Sequence, residues 1–186
     1  MRILLTGVSC VGKTTIGRLL ANGLGLPFFD LDEAVENHFG ASIERLQARF
    51  LTGYGYRKEA SVVLKHILRE NRDCVIALAP SGLRDAYLRV IRKADCVTVV
   101  LKDTPDNILQ RIVFYDIDSR PIDKTLTETD KALYRKEIAG DMAFFRKSYE
   151  RADLHVHIGG LGAPASAQRI AERLASVPRG AANPAC

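Results

Sequence analysis

Apolar residues in this chain recur in two rhythms. Short unbroken runs, "RILLT" at 2–6, "PFFDLD" at 27–32, "CVIALA" at 74–79, "CVTVVL" at 96–101 and "LHVHI" at 154–158, alternate with stretches where apolar positions return every three or four residues. A brief apolar run bounded by polar residues suits a strand buried on both faces. After the first run, Ile16, Leu19, Leu20 and Leu24 fall at i, i+3, i+4 and i+8 and predict the inward face of a helix. Further helices are predicted from Asp32 to Phe39, around Leu83 to Arg92, and from Thr104, which can cap while Pro105 fits the first helical position. A last helix would turn Ala167, Ile170, Ala171 and Leu174 inward. Strands alternating with helices predict an α/β fold with a central parallel five-stranded sheet and helices on both faces. Ligands of such sheets bind at the carboxyl ends of the strands.

Two segments break the rhythm. Residues 116–131, "DIDSRPIDKTLTETDK", are polar, contain Pro121 and precede a long helical stretch to about Glu150, which predicts a mobile lid. The end of the chain, "VPRGAANPAC" at 177–186, is expected to be disordered, leaving residues 1–176 as a single domain. The opening "MRILLTG" is too short in apolar residues for a signal-peptide core, and no apolar run approaches membrane-spanning length. A cytoplasmic protein without a membrane partner is therefore expected.

Composition narrows the chemistry. With 186 residues, 47% of them hydrophobic, the chain can bury one good core. Cys10, Cys74, Cys96 and Cys186 show neither C-x-x-C nor Cys/His ligand spacing, so buried thiols are expected rather than zinc or disulfides. The net charge of +5 is spread over many segments. A nucleic-acid partner would call for a basic patch or stripe, whereas diffuse basicity suits anionic small molecules. A monomer is expected.

The residues with the sharpest chemical meaning are "GVSCVGKTT" at 7–15, in which Gly7, Gly12, Lys13 and Thr14 satisfy the phosphate-loop pattern G-x-x-x-x-G-K-[ST]. The strand before and helix after are the context that pattern requires. Its backbone N–H groups, from Gly7 through Val8, Ser9, Cys10, Val11 and Gly12 to Lys13, Thr14 and Thr15, would cradle the phosphates of ATP at a helix N-terminus. Lys13 would reach the β- and γ-phosphates and Thr14 would ligate Mg²⁺. Asp30 and Asp32 lie two apart where a strand ends, so both can project into one crevice if the chain is still extended there; otherwise one caps the next helix, Asp32 being the expected cap.

The stretch "GKTTIGRLLANGLGLPFFDLDEAVENHFGASI" resembles the opening third of the shikimate kinases, with a looser likeness through Arg57, the strand at 74–79, Arg120-Pro121 and Tyr149. The resemblance implies a phosphate-loop kinase fold of three layers, and transfer of the ATP γ-phosphate to a hydroxyl of a small acid, shikimate first. It implies that Asp30 helps hold Mg²⁺, Asp32 binds the acceptor hydroxyl, Arg120 swings in on the lid, and Arg111 lies near the adenine. Arg57 would pair with the acceptor carboxylate, and Ser81, Gly82 and Arg146 would complete the acceptor site.

Several acceptor-side positions depart from that family. Ala60 stands where a glutamate follows the arginine by three residues, and Phe145 where an arginine precedes the tyrosine by four. Ala79-Pro80-Ser81 replace three glycines, which predicts a shallower pocket with one N–H donor fewer. The donor side keeps its residues. A working kinase with shikimate or another small polyol, sugar acid or nucleotide as acceptor is expected, ahead of a nucleotide-gated interaction module or a plain NTPase.

Overall fold

In the computed structural model, which describes residues 1–176, a parallel five-stranded sheet runs in the order β2-β3-β1-β4-β7. Its strands are β1 (Arg2–Thr6), β2 (Phe28–Asp30), β3 (Cys74–Ala77), β4 (Cys96–Lys102) and β7 (Leu154–His157). β1 is central, pairing Leu4 with Ile76 on one side and Thr98 on the other. The helices are α1 (Lys13–Leu24), α2 (Leu31–Phe39), α3 (Ile43–Ala48), α4 (Gly53–Glu70), α5 (Asp85–Ile91), α6 (Pro105–Leu109), α7 (Glu128–Tyr149) and α8 (Ala163–Ala175). A separate hairpin pairs β5 (Phe114–Tyr115) with β6 (Pro121–Ile122).

Alternation along β1 divides the interior in two. Ile3 and Leu5 join Ile16, Leu20, Val99, Leu101 and Ile170 beneath α1 and α8. Leu4 faces the other way, into a cluster with Leu31, Leu64, Ile76, Leu78 and Tyr87 beneath α4 and α5. The chain leaves β1 toward β2 and leaves β3 toward β4, so the connections diverge between β1 and β3. The crevice at their carboxyl ends is where such a sheet opens to a ligand.

Local chemistry sets two of the element ends, the first of them as expected. Thr104 caps α6, accepting from the Asn107 amide, with Pro105 in the first turn. Thr127 and Asp130 form a capping box that starts α7. One expectation is corrected: Leu19 and Leu24 are 38% and 37% exposed, and the buried stripe of α1 is Ile16, Gly17, Leu20 and Ala21. Gly17 is the point of closest approach, since a Cβ there would lie 2.6 Å from the Phe28 ring, and that rotates the two leucines outward. Ala167, Ile170 and Leu174 of α8 are buried as expected, with Ala171 partly so.

The segment expected to be a lid has more structure than its polar sequence suggests. Residues 116–120 are the turn of the β5-β6 hairpin, and that turn is tied down: Ser42 donates to the Ile117 carbonyl, Arg45 pairs with Asp118 at 2.7 Å, and the Ser119 hydroxyl donates to Glu36. Cys74 is buried and Cys10 and Cys96 partly so, with burial pushing the Cys96 thiol up to about 12. Cys186 and the rest of 177–186 lie outside the described residues. Among the described residues no helix is long and apolar enough to cross a membrane.

Candidate active site

The phosphate loop joins β1 to α1, and its glycines are dictated by its shape. Gly7 and Gly12 have φ of 147° and 104°, where side chains are strained, and a Cβ on Gly7 would lie 2.8 Å from the Leu101 carbonyl oxygen. Cys10 also takes a left-handed φ, of 57°. Val8 and Val11 anchor the loop in the core, while Ser9 and Thr15 are exposed. Lys13 Nζ lies across the loop and donates to the Gly7 and Val8 carbonyls at 3.0 and 2.9 Å. Burial lowers its pKa, against the opposing pull of Asp32 and Asp30.

Both aspartates come within electrostatic reach of Lys13, by a route other than the extended strand. The strand ends at Asp30, which is itself the cap of α2: its Oδ1 accepts from the Asp32 amide at 3.0 Å and the Glu33 amide at 3.5 Å. Asp32, the expected cap, is instead in the first turn. The other Asp30 oxygen accepts from the Thr14 hydroxyl at 2.6 Å, linking α1 to β2. Burial, reinforced by the neighbouring Asp30 carboxylate and opposed by Lys13, lifts the Asp32 carboxyl to about 6. It is thus a carboxylate near neutrality with raised basicity, the property a proton acceptor needs.

Arg111, just beyond α6, is built into the back of the loop. It donates to the Val11 carbonyl at 3.1 Å and to that of Asn107 at 3.0 Å, and pairs with buried Asp103. Burial would raise the Asp103 carboxyl, but hydrogen bonds from Asn107, Arg111 and Thr104 outweigh it and hold the group below its usual range. Asp103, at the end of β4, was not anticipated; its signal was its place directly after a strand run. Arg120 is exposed at the end of the lid turn, its amide donating to Asp116.

On the other side of the crevice, Arg57 projects from α4 and gives its Nε and Nη2 to Asp85 Oδ2 at 3.1 and 2.6 Å. The carboxylate that meets Arg57 thus comes from α5, and position 60 on α4 is the buried Ala60. Tyr56 and Tyr87 lie beside this pair with buried hydroxyls that have no hydrogen-bond partner among the described residues. Burial raises both phenols and the Asp32 charge raises them further, which puts them within its electrostatic reach.

The loop after β3 is closed by its own bonds. Gly82 donates its amide to the Ala79 carbonyl at 2.8 Å, Arg84 donates to the Ser81 carbonyl at 3.0 Å, and the Pro80 carbonyl accepts from Tyr149 at 3.1 Å. Gly82 is required by packing, since a Cβ there would lie 2.6 Å from that of Leu78. Its N–H is already committed. Arg146 is exposed beside Glu150 and lines a different crevice, a cavity of about 730 Å³ walled by α7, α8 and the ends of β4 and β7.

Comparison with known proteins agrees with this geometry. The family model described as Shikimate kinase matches residues 9–175. The shikimate kinase of Aquifex aeolicus (strain VF5) is 33% identical over 158 residues, covering 84% of this chain and 86% of that one. Its crystal structure superposes with a TM-score of 0.71 at 29% identity, covering 94% of this chain and 96% of that one. The Acinetobacter baumannii shikimate kinase, solved in complex with shikimate, gives 0.73 at 25% identity, covering 94% and 93%. With its strand order, phosphate loop and aspartate pair on the same frame, this chain belongs to the shikimate kinase family.

Proposed function

We propose that this kinase moves the γ-phosphate of ATP to a hydroxyl of shikimate, using Mg²⁺. The observation that carries the reading is the convergence of Lys13, Asp30 and Asp32 at one strand-end crevice, with Asp32 lifted to about 6. Backbone N–H groups of residues 7–14 bind the triphosphate at the positive end of α1, and Lys13 follows the charge that builds on its outer oxygens. Arg57 pairs with the acceptor carboxylate and Asp32 takes the proton of the hydroxyl. The freed oxygen forms the new bond to the γ-phosphorus as the bond to the bridging oxygen breaks, and ADP leaves. Arg120 reaches the phosphates once the turn is released from Ser42, Arg45 and Glu36 and closes, where a guanidinium and exclusion of water favour transfer.

The donors present fit Mg²⁺. Thr14 and Asp30 offer a hydroxyl and a carboxylate already in contact at 2.6 Å, both hard oxygen ligands. Among the described residues no group of three or more His, Cys, Asp or Glu gathers to hold a metal alone, which suits an ion shared with substrate phosphates and water. When bound, Mg²⁺ neutralises charge on the β- and γ-phosphates. A cytoplasmic monomer with ATP and a small acid as its ligands is the setting this reading implies.

Ala79-Pro80-Ser81 favour a second reading, in which another small carboxylated or polyhydroxylated molecule is the better acceptor. Purified protein should release ADP in proportion to added shikimate, with one phosphate gained per acceptor by mass spectrometry. A panel of polyols, sugar acids and nucleoside monophosphates ranks the alternatives. ATP binding without acceptor-dependent ADP release would refute the kinase reading and leave a nucleotide-gated module.

A further inference from the structure

Two acceptor-side residues expected from the family are missing from the sequence, a glutamate at position 60 and an arginine at position 145. Asp85 makes good the first by holding Arg57. The second gap is flanked by the residue just before Asp85. The guanidinium carbon of Arg84 lies 4.8 Å from the centre of the Phe144 ring and 5.9 Å from that of Phe145. A cation therefore occupies the neighbourhood that an arginine at position 145 would supply.

We propose that Arg84 is a second acceptor-binding cation of this kinase, taking the acceptor carboxylate together with Arg57, so that the dipeptide Arg84-Asp85 replaces both missing groups. The proposal rests on the reading of the chain as a kinase of a carboxylated acceptor. Backbone geometry explains how neighbours serve different partners. Arg84 is extended, with φ of −122°, and Asp85 turns to a left-handed φ of 46°, a conformation that aspartate tolerates better than most residues. The turn sends Asp85 to α4 and Arg84 to α7.

Three further observations make Arg84 available and fixed. Among the described residues no carboxylate lies within ion-pair distance of it, so its charge is met by ring faces and its planar fork is left for an anion. Its amide is held by Ser81, in the loop at the carboxyl end of β3 that borders the crevice. Phe145 stacks on Tyr149 at 5.7 Å, and Tyr149 is bonded to Pro80, which locks α7 and its rings against the same loop. That loop has lost one N–H to Pro80 and committed another at Gly82, so a side-chain cation restores attraction for an anion where backbone donors are gone.

Steady-state kinetics of the parent, Arg84→Ala, Arg84→Lys and Arg84→Ala with Phe145→Arg, each with shikimate, its uncharged methyl ester and ATP, test the assignment. Arg84→Ala should raise the KM for shikimate roughly ten- to a hundredfold, as loss of a charged hydrogen-bond donor does, while the KM values for the ester and ATP change less than about threefold. Arg84→Lys should fall between, keeping the charge but not the fork. Phe145→Arg should restore shikimate use in the Arg84→Ala background. Unchanged shikimate kinetics in Arg84→Ala, or equal losses for acid and ester, would overturn the proposal. If the parent turns over no shikimate, the functional reading fails separately, and Arg84 is judged on the carboxylated and neutral polyols of the panel. There, loss confined to carboxylated acceptors upholds it, and equal loss, or no acceptor at all, overturns it.

Discussion

Lys13 and Asp32 carry opposite charges into one poorly solvated crevice, and each is perturbed by that placement. Lys13→Ala removes the cation that the proposed reaction assigns to the transferring phosphoryl group. Turnover should fall at least ~10²- to 10³-fold, the cost of deleting a preorganised charge partner, with the thermal transition retained. Normal turnover in the folded variant would refute the assignment. Asp32 allows a second test because its carboxyl sits near 6 in the fold against an ordinary 3.8. Between those values the folded chain keeps a proton that the unfolded chain has lost. The group's contribution is therefore fully favourable below the lower value and is lost as pH rises through about 6. Above that, an ionised Asp32 costs on the order of 1–3 kcal/mol. Asp32→Asn should make the metal- and nucleotide-free protein more stable at pH 7.5, with the gain shrinking below pH 5, while transfer drops by ~10²-fold or more. Denaturant melts at two pH values check this; a variant destabilised at pH 7.5 would show that Asp32 serves the fold.

Among the elements, the loop from Ala79 to Arg84 carries Ala79-Pro80-Ser81 where the resemblance implies three glycines. Its turn uses its own amides, and Pro80 lends its carbonyl to Tyr149. Replacing Ala79, Pro80 and Ser81 together by glycine returns an N–H and removes bulk, so the KM for shikimate should fall several-fold, roughly the value of one hydrogen bond, with the KM for ATP unmoved. An unchanged KM for shikimate would mean that the loop does not limit the pocket. The helices show which signals a sequence carries. The end of α6 at Thr104-Pro105 was legible because a capping residue and a proline act locally. Leu19 and Leu24 misled because the close approach at Gly17, which turns α1, depends on Phe28 across the interior. The face of α4 formed by Tyr56, Ala60, Val63, Leu64, Ile67 and Leu68 was periodic in the sequence, yet its exposed Tyr54 and Val62 blurred the stripe.

For the molecule as a whole, the phosphate loop and its surroundings tie together β1, α1, β2 and α6 through Lys13, Thr14–Asp30 and Arg111–Val11. A ligand bound there should brace the whole sheet rather than one loop. Mg²⁺-ADP at about a hundred times its Kd should add about 2.7 kcal/mol, which for a chain of this size corresponds to a rise of roughly 5–10 °C in Tm. Lys13→Ala should abolish most of that rise. A parent whose Tm is indifferent to Mg²⁺-ADP would contradict the phosphate-loop assignment.

The sequence by itself determined the α/β class and the phosphate loop between strand and helix, because glycine conformation, capping and hydrophobic period are properties of neighbours along the chain. Tertiary structure decided which carboxylate does what. Asp30 became the cap and the partner of Thr14, leaving Asp32 in the first turn and raised, because the strand ends at Asp30 and the helix begins at once. It also brought Asp85 to Arg57 across 28 positions, and Arg84 to rings on α7 across about sixty, replacing groups that the sequence showed only as missing. Charge complementarity depends on distance in space, so a residue lost at one position can be regained from another element, and no local pattern records the exchange.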